Sequence, residues 1–225
     1  MAFDRTQAEA TIVEILDGLE GDHVAGLGFR LLDGVIATAC HCLPHVGGRV
    51  ALPDPDEPAP APVLVRVRQP GAAAVAIAAV VAAEPCSDYA LLVGAPPSGP
   101  GLPVPPALVA PFQELVASRA LARLDLAPAT DGPVFVFTHD GRWIEGAVTS
   151  SAISIWKQGD RIRTRTSGAP VFGQDGRVVG LVGANDIRLP EATMCALAEH
   201  LPGWALRLAH QAEANRGVAV TSLAP

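Results

Sequence analysis

Tight turns recur along this chain and constrain its fold more than any other feature of the sequence. Five Asp-Gly pairs mark them, at Asp17-Gly18, Asp33-Gly34, Asp131-Gly132, Asp140-Gly141 and Asp175-Gly176. Most of these pairs lie beside β-branched or apolar runs, and Asp-Gly between such runs is the composition of a tight β-hairpin. The pattern therefore predicts an antiparallel, all-β chain.

Eleven segments are predicted as strands from their apolar and β-branched content. They are residues 11–16, 24–32, 35–38, 63–68, 74–83, 89–93, 134–138, 143–149, 153–156, 170–172 and 178–183. Residues 72–79 are rich in alanine and favour a helix by propensity alone, but their context favours a strand. Residues 191–199 and 204–211 carry helical apolar spacing, so a closing helix is predicted there, and the tail from Arg216 is predicted to be disordered.

Charge and composition exclude several classes of partner. The chain has 225 residues, of which 49% are hydrophobic, enough to bury a large core, and its net charge of −7 gives no attraction for nucleic acid or anionic lipid. The longest apolar run, residues 71–83, is too short to span a membrane as a helix. Residues 1–19 are acidic and lack the pattern of a secretory signal, which predicts a cytoplasmic protein.

Three short segments carry residues suited to nucleophilic catalysis. His41 lies in Thr38-Ala39-Cys40-His41-Cys42, Asp88 precedes the apolar run Tyr89-Ala90-Leu91-Leu92, and Ser167 opens Ser167-Gly168-Ala169-Pro170. A serine hydroxyl needs an imidazole to accept its proton, and a buried carboxylate orients that imidazole and stabilises its charged form. The remaining histidines lack this context and are assigned no catalytic role: His23, His45, His139, His200 and His210.

The order His, Asp, Ser and the segments around these residues resemble the trypsin-like (chymotrypsin-fold) serine peptidase family, bacterial cytosolic type. The resemblance extends over residues 11–186 and implies two six-stranded antiparallel β-barrels with a C-terminal helix. Residues 1–105 would form the barrel carrying His41 and Asp88, and residues 106–225 the barrel carrying Ser167. The proline-rich tracts are interpreted as a surface loop of the first barrel, residues 53–62, and as the linker between barrels, residues 96–111.

The resemblance also implies that the backbone N–H groups of Arg165 and Ser167 form the oxyanion hole. The family usually has glycine at Arg165, Asp or a small polar residue at Thr166, and glycine at Ala169. A side chain at Arg165 predicts an oxyanion hole that is unformed or switchable. Thr166 lacks the carboxylate that pairs with a new N-terminal amine after propeptide cleavage. We therefore expect constitutive activity, or activation by a protein partner that rearranges residues 159–166.

Substrate specificity would depend on the residues just before Ser167 and on a second wall further along the chain. The expected lining residues are Arg161, Arg163, Gly183, Ala184 and Asn185. The two arginines could favour an acidic substrate side chain. The alternative is that they form a solvated row on the surface.

The four cysteines are predicted to be reduced thiols. Secreted members of the family commonly bridge the cysteine after the catalytic histidine to the preceding strand, and residues 24–36 contain no cysteine that could pair with Cys42. A metal site at Cys40, His41 and Cys42 is an alternative, but no second pair with ligand spacing exists, because Cys86 and Cys195 are isolated. No metal or cofactor is predicted.

The sequence therefore predicts a serine endopeptidase that cleaves protein or peptide substrates through an acyl-enzyme. Resemblance to cytosolic bacterial members suggests limited processing of a protein partner. A catalytically silent or partner-activated binding module is the main alternative, motivated by Arg165 and Thr166. The second alternative is an esterase that uses the same three residues.

Overall fold

The structure, a computed structural model, describes most of the chain with several gaps. The described residues are 3–18, 21–32, 34–43, 63–95, 106–117, 122–124, 132–149, 152–155, 160–185, 193–207 and 211. The proline-rich loop predicted at residues 53–62 and the tail from Arg216 lie outside them, as do His45, Trp156 and His210.

The N-terminal half forms a closed six-stranded antiparallel barrel. Its strands are β1 (Ile12–Leu16), β2 (Val24–Leu32), β3 (Val35–Ala39), β4 (Leu64–Arg68), β5 (Ala76–Glu84) and β6 (Tyr89–Gly94). They pair in the order β1-β2-β3-β6-β5-β4, and β1 closes the barrel on β4. A 3-10 turn, Cys40–Cys42, follows β3 and places His41 at the end of the barrel. The alanine-rich segment is part of β5, as predicted.

The C-terminal half forms a second barrel. Its strands are β7 (Arg123–Leu124), β8 (Val134–Phe137), β9 (Trp143–Thr149), β10 (Ala152–Ile155), β11 (Pro170–Gly173), β12 (Arg177–Asn185) and β13 (Thr193–Leu197). The ring runs β11-β8-β9-β10-β13-β12 and closes through antiparallel pairing of β11 with β12, while β7 adds a short parallel pair to β12. Two closed six-stranded antiparallel barrels confirm the predicted chymotrypsin-like fold.

The burial of β1 shows how the two barrels pack together. All five residues of β1 are buried, although one face of a barrel strand normally meets solvent. Val13 and Ile15 point into the first core, whereas Ile12 joins Leu27 in the core cluster of the second barrel. Because each face of β1 meets a different core, the strand Ile-Val-Glu-Ile-Leu is apolar on both faces except at Glu14, whose carboxylate pairs with Arg68.

The N-terminal segment crosses the outside of the second barrel before the chain enters β1. Helix α1 (Arg5–Glu9) starts at Asp4, whose carboxylate accepts hydrogen bonds from the N–H groups of Thr6 and Gln7. Phe3 stacks on Phe135 with ring centroids 4.5 Å apart. These contacts attach the first residues of the N-terminal half to the outside of the C-terminal barrel.

A second helix, α2 (Pro106–Val116), occupies the end of the segment interpreted as a linker. Phe112, Leu115 and Val116 pack into the core of the first barrel. The buried guanidinium of Arg30 donates to the carbonyl of Leu115 over 2.7 Å, which satisfies one of the last carbonyls of α2. Because its apolar side chains pack into the first barrel, α2 is part of the N-terminal half.

The predicted helix over residues 191–199 is wrong. The chain forms β13 and then a 3-10 turn, Ala198–His200, because strands β10 and β12 both offer unpaired edges to Thr193–Leu197. The helix predicted over 204–211 is observed where the chain is described, at residues 203–207 and 211. Within the described ranges, every helix is too short or too polar to cross a bilayer.

Candidate active site

His41 and Asp88 are in direct contact at the end of the first barrel. The Nδ1 atom of His41 lies 2.8 Å from Oδ2 and 3.0 Å from Oδ1 of Asp88, and the backbone N–H of His41 donates to Oδ1 over 3.1 Å. A carboxylate can only accept, so the proton of a neutral His41 is on Nδ1. Nε2 then carries a lone pair, and it makes no hydrogen bond to any residue that the structure describes.

Asp88 occupies this position at a conformational cost. Its φ of +56° lies in the left-handed region, which Asp and Asn tolerate better than most residues. The carbonyl of Asp88 accepts from the N–H of Cys40 over 3.0 Å, so the turn before β6 is tied to the 3-10 turn carrying His41. On its other side the carboxylate meets Gly183 of β12, where a Cβ atom would lie 3.5 Å from Oδ2. The second barrel thus shields the carboxylate.

The turn carrying Ser167 is docked against the first barrel by backbone contacts. The carbonyl of Ser167 accepts from the N–H of Leu27 over 2.8 Å and lies 3.5 Å from Sγ of Cys42, the neighbour of His41. Gly168 then donates to the carbonyl of Val182 over 2.7 Å. Ser167 is therefore held between β2, the 3-10 turn and β12. Its hydroxyl has no hydrogen-bond partner among the described residues, so no hydrogen bond joins it to His41.

Two glycines permit this close docking. A Cβ at Gly26 would lie 2.7 Å from the Ser167 carbonyl and 2.4 Å from Sγ of Cys42. Gly168 has a φ of +82°, and its Cβ would lie 2.1 Å from the Leu27 carbonyl oxygen. No side chain fits at either position without moving backbone. Gly26 was not singled out in the sequence, because its contacts join segments far apart in the chain.

The backbone before Ser167 forms a type II β-turn from Arg163 to Thr166. The turn is closed by the Thr166 N–H donating to the Arg163 carbonyl over 3.2 Å. Arg165 is at its third position with φ +70°, the value that distinguishes type II from type I and normally requires glycine. The two types differ by a flip of the central peptide, whose N–H belongs to Arg165. Within the described part of the chain, the N–H groups of Arg165 and Ser167 have no hydrogen-bond partner.

Thr166, the residue before Ser167, is buried and hydrogen-bonded. Its Oγ1 accepts from the backbone N–H of His139 over 3.3 Å, and the residue is inaccessible to solvent. His139 lies in the turn between β8 and β9. The buried side chain of Thr166 is thus a neutral hydroxyl whose partner is a backbone N–H. A carboxylate buried at the same position would need a cationic partner.

The two arginines proposed as pocket residues lie at the surface. Arg161 is exposed, and Arg163 has its Nε 3.8 Å from Oδ2 of Asp140 with two thirds of its side chain accessible. Hydrogen bonding from Thr138, and then the contacts with Arg142 and Arg163, hold the pKa of Asp140 below its ordinary value. No contact within the described residues joins Arg161 or Arg163 to His41, Asp88 or Ser167. Of the second predicted wall, Gly183 lies against Asp88, and Ala184 and Asn185 complete β12.

The two cysteines that flank His41 are buried thiols with raised pKa values. Cys40, Cys42, Cys86 and Cys195 are all free. Burial, and then the charge of Asp88, raise the pKa of Cys42 to about 12, so this thiol stays protonated at neutral pH. Among the described residues, no group of three or more His, Cys, Asp or Glu side chains could hold a metal ion.

We expect Arg165→Gly to relieve backbone strain and so to cost less stability than a glycine substitution elsewhere in the same loop. Glycine adopts φ +70° without the steric cost that a Cβ incurs, which is about 1 kcal/mol. Arg165 also contacts His23, so both substitutions are made in a His23→Ala background, where urea denaturation should give a free energy of unfolding about 1 kcal/mol higher for Arg165→Gly than for Arg161→Gly. Arg161→Gly is the matched control, since Arg161 is exposed in the same loop but has a negative φ; it should lower stability. Equal destabilisation by both substitutions would contradict the strained turn.

Three solved protease structures resemble this chain at 12–18% sequence identity. A serine endoprotease from Yersinia pestis matches with a TM-score of 0.58 at 12% identity, covering 94% of this chain and 69% of that one. The active form of the Rv3671c protease from M. tuberculosis matches with a TM-score of 0.55 at 18% identity, covering 91% and 83%. An inactive mutant of Rv3671c matches with a TM-score of 0.54 at 17% identity, covering 91% and 89%. At these identities the likeness supports the double-barrel fold.

No protein-family model and no curated protein matches the sequence.

Proposed function

We propose that this protein is a serine endopeptidase in which Ser167 is the nucleophile, His41 the general base and Asp88 the residue that orients His41. The observation that carries the proposal is the contact of Asp88 with Nδ1 of His41, which leaves Nε2 free to accept a proton, while the turn of Ser167 docks against Cys42, the neighbour of His41. Structures of serine proteases with the same fold support it. No hydrogen bond joins Ser167 and His41 among the described residues, and catalytic hydrogen bonds of this kind often form only once substrate is bound.

In the proposed reaction, Oγ of Ser167 attacks the carbonyl carbon of a peptide bond while its proton passes to Nε2 of His41. Asp88 stabilises the imidazolium that forms. His41 then gives the proton to the leaving amine, and Ser167 remains as an acyl ester. Water, deprotonated by His41, hydrolyses this ester and regenerates the hydroxyl.

The N–H groups of Arg165 and Ser167 are the proposed oxyanion donors. Both lack a partner among the described residues, and the type II turn supports the proposal because a type I turn would reverse the Arg165 peptide. Donors that are already unpaired require no rearrangement when the oxyanion forms.

We further propose that the enzyme needs neither propeptide cleavage nor an activating partner. The support is Thr166, which satisfies its hydroxyl with the N–H of His139 and so anchors the serine turn without a charged N-terminus. The proposed substrates are proteins or peptides, and limited processing of a partner in the cytoplasm is the proposed setting. The four free cysteines are in keeping with a reducing compartment.

The test is peptide cleavage by the purified chain and by its Ser167→Ala variant. Each is incubated with a denatured proteome, and new N-termini are identified by mass spectrometry. The proposal predicts new termini with the wild type and none above background with the variant. Termini produced equally by both proteins, or by neither, would refute it.

Two outcomes of related assays identify the alternatives. Turnover of p-nitrophenyl esters without any peptide cleavage would indicate an esterase. The absence of both activities, with no reaction toward a fluorophosphonate, would indicate a catalytically silent binding module.

A further inference from the structure

One side-chain hydrogen bond connects the first barrel to the residue that supplies a proposed oxyanion donor. Nη2 of Arg165 lies 2.9 Å from Nε2 of His23. His23 lies in the connection between β1 and β2, and 142 positions separate the two residues in the sequence. The pair therefore reaches from the N-terminal barrel to the turn before Ser167.

The chemistry of the two groups determines the direction of this bond. A guanidinium has donors and no acceptor, so Nε2 of His23 must accept with a lone pair. His23 is then neutral and carries its proton on Nδ1, which faces Oδ2 of Asp17 at 3.8 Å. A histidine protonated on Nε2 would present a hydrogen to the guanidinium and could not form the contact.

The end of the bond that lies in the first barrel is firmly placed. The N–H of Asp17 donates to the carbonyl of His23 over 2.8 Å, which closes the connection between β1 and β2 beside the imidazole. A neighbouring contact, from Nη1 of Arg66 in β4 to the carbonyl of Gly21, ties the same connection to the barrel wall. His23 thus presents its acceptor from an anchored loop.

The other end of the bond is where the backbone is strained. Arg165 holds φ +70° at the third position of a type II turn, and a change to the type I turn would remove the strain and reverse its N–H. A side chain held at its tip restricts that change, because the flip alters the direction in which the side chain leaves the backbone.

We propose that His23 is a positioning residue, which holds Arg165 in the left-handed conformation and so keeps its N–H directed for oxyanion binding. This inference rests on the proposed function of the site. Since His23 is more than half exposed, its bond contributes like a single solvent-screened hydrogen bond, and its removal should lower kcat about fivefold. KM should change little, because the oxyanion forms only in the transition state.

The test uses the full chain with His23→Ala, His23→Gln, Arg165→Gly and the double variant His23→Ala/Arg165→Gly. Steady-state kcat and KM are measured on a peptide substrate found in the proteome experiment. Arg177→Ala is the control for loss of an exposed ionic contact, since Arg177 pairs with Asp175 in the turn between β11 and β12. A second readout, independent of activity, is the 15N spectrum of the histidine rings, which reports which nitrogen of His23 carries the proton.

The inference predicts a kcat about fivefold lower for His23→Ala, recovery in His23→Gln through the amide oxygen, and no effect of His23→Ala when residue 165 is glycine. The Nδ1-protonated form of His23 should dominate in the wild type and decline in Arg165→Gly. An unchanged kcat in His23→Ala, or an equal loss in both backgrounds, would overturn it. If the wild type shows no turnover, the proposed function itself has failed; an Nε2-protonated His23 would refute the bond regardless of activity.

Discussion

Asp88→Asn should reduce kcat by about 10⁴-fold at neutral pH while the protein remains folded. The amide nitrogen of asparagine can donate to Nδ1 of His41, which would move the imidazole proton to Nε2 and leave no base facing Ser167. Asparagine suits the test because it tolerates the left-handed conformation at position 88, where φ is +56°. The measurement is kcat for peptide hydrolysis, with circular dichroism and thermal unfolding as checks on the fold.

Asp140→Asn is the matched control for Asp88→Asn. Asp140 is also a hydrogen-bonded carboxylate in a turn, but its partners are Thr138 and Arg142 in the second barrel. Its replacement should leave kcat within a few-fold of the wild type. A loss of less than tenfold in Asp88→Asn would be incompatible with the role assigned to the carboxylate.

Gly168→Ala should unfold the turn that carries Ser167 or displace it from the first barrel. An added Cβ would lie 2.1 Å from the Leu27 carbonyl, 2.6 Å from Oγ1 of Thr38 and 3.0 Å from the Ala39 nitrogen, and the residue would also be strained at φ +82°. Overpacking against backbone and left-handed strain together should lower the free energy of unfolding by about 3 kcal/mol or more. Displacement of Ser167 by about 1 Å should lower kcat about a hundredfold.

Gly141→Ala measures the cost of left-handed strain without the cost of overpacking. Gly141 has φ +77°, close to that of Gly168, but nothing lies within 4 Å of its added Cβ. It should therefore show only the cost of the conformation, about 1 kcal/mol, with activity retained. Urea denaturation of both variants gives the comparison, and equal losses in the two would show that docking of the serine turn is not tight.

The strands were predictable because their signal is local. Each of the eleven predicted segments overlaps an observed strand, since apolar and β-branched runs between Asp-Gly turns have few other ways to bury their side chains. Even the alanine-rich β5 is a strand, because β4 and β6 pair with it on both sides and outweigh the helix propensity of alanine.

The elements that were missed depend on distant partners. Strand β13 has the sequence Thr-Met-Cys-Ala-Leu, which is as typical of a helix as of a strand. It is a strand because it pairs with β10 and β12. Helix α2 begins at a proline and contains Pro111, so its sequence indicated a linker. The helix is stabilised by its apolar side chains, which pack on the first barrel. Helix α1 did have a local signal, the capping residue Asp4.

The candidate site also combines features that the sequence predicted with features that it did not. The proximity of His41 and Asp88 followed from the resemblance in residue order, and the structure brings them into contact. The left-handed conformation of Arg165, the Thr166 contact with His139 and the bond from His23 to Arg165 could not be predicted. The two contacts join segments that are far apart in the sequence. The conformation of Arg165 is one that residues other than glycine rarely adopt.

The most direct test of the account is the position and rate of fluorophosphonate labelling, mapped by tandem mass spectrometry in the wild type and in His41→Ala. The account predicts a single adduct on Oγ of Ser167 and a labelling rate at least about a thousandfold lower without the imidazole. An adduct on another residue, or labelling of Ser167 at the same rate in both proteins, would contradict it.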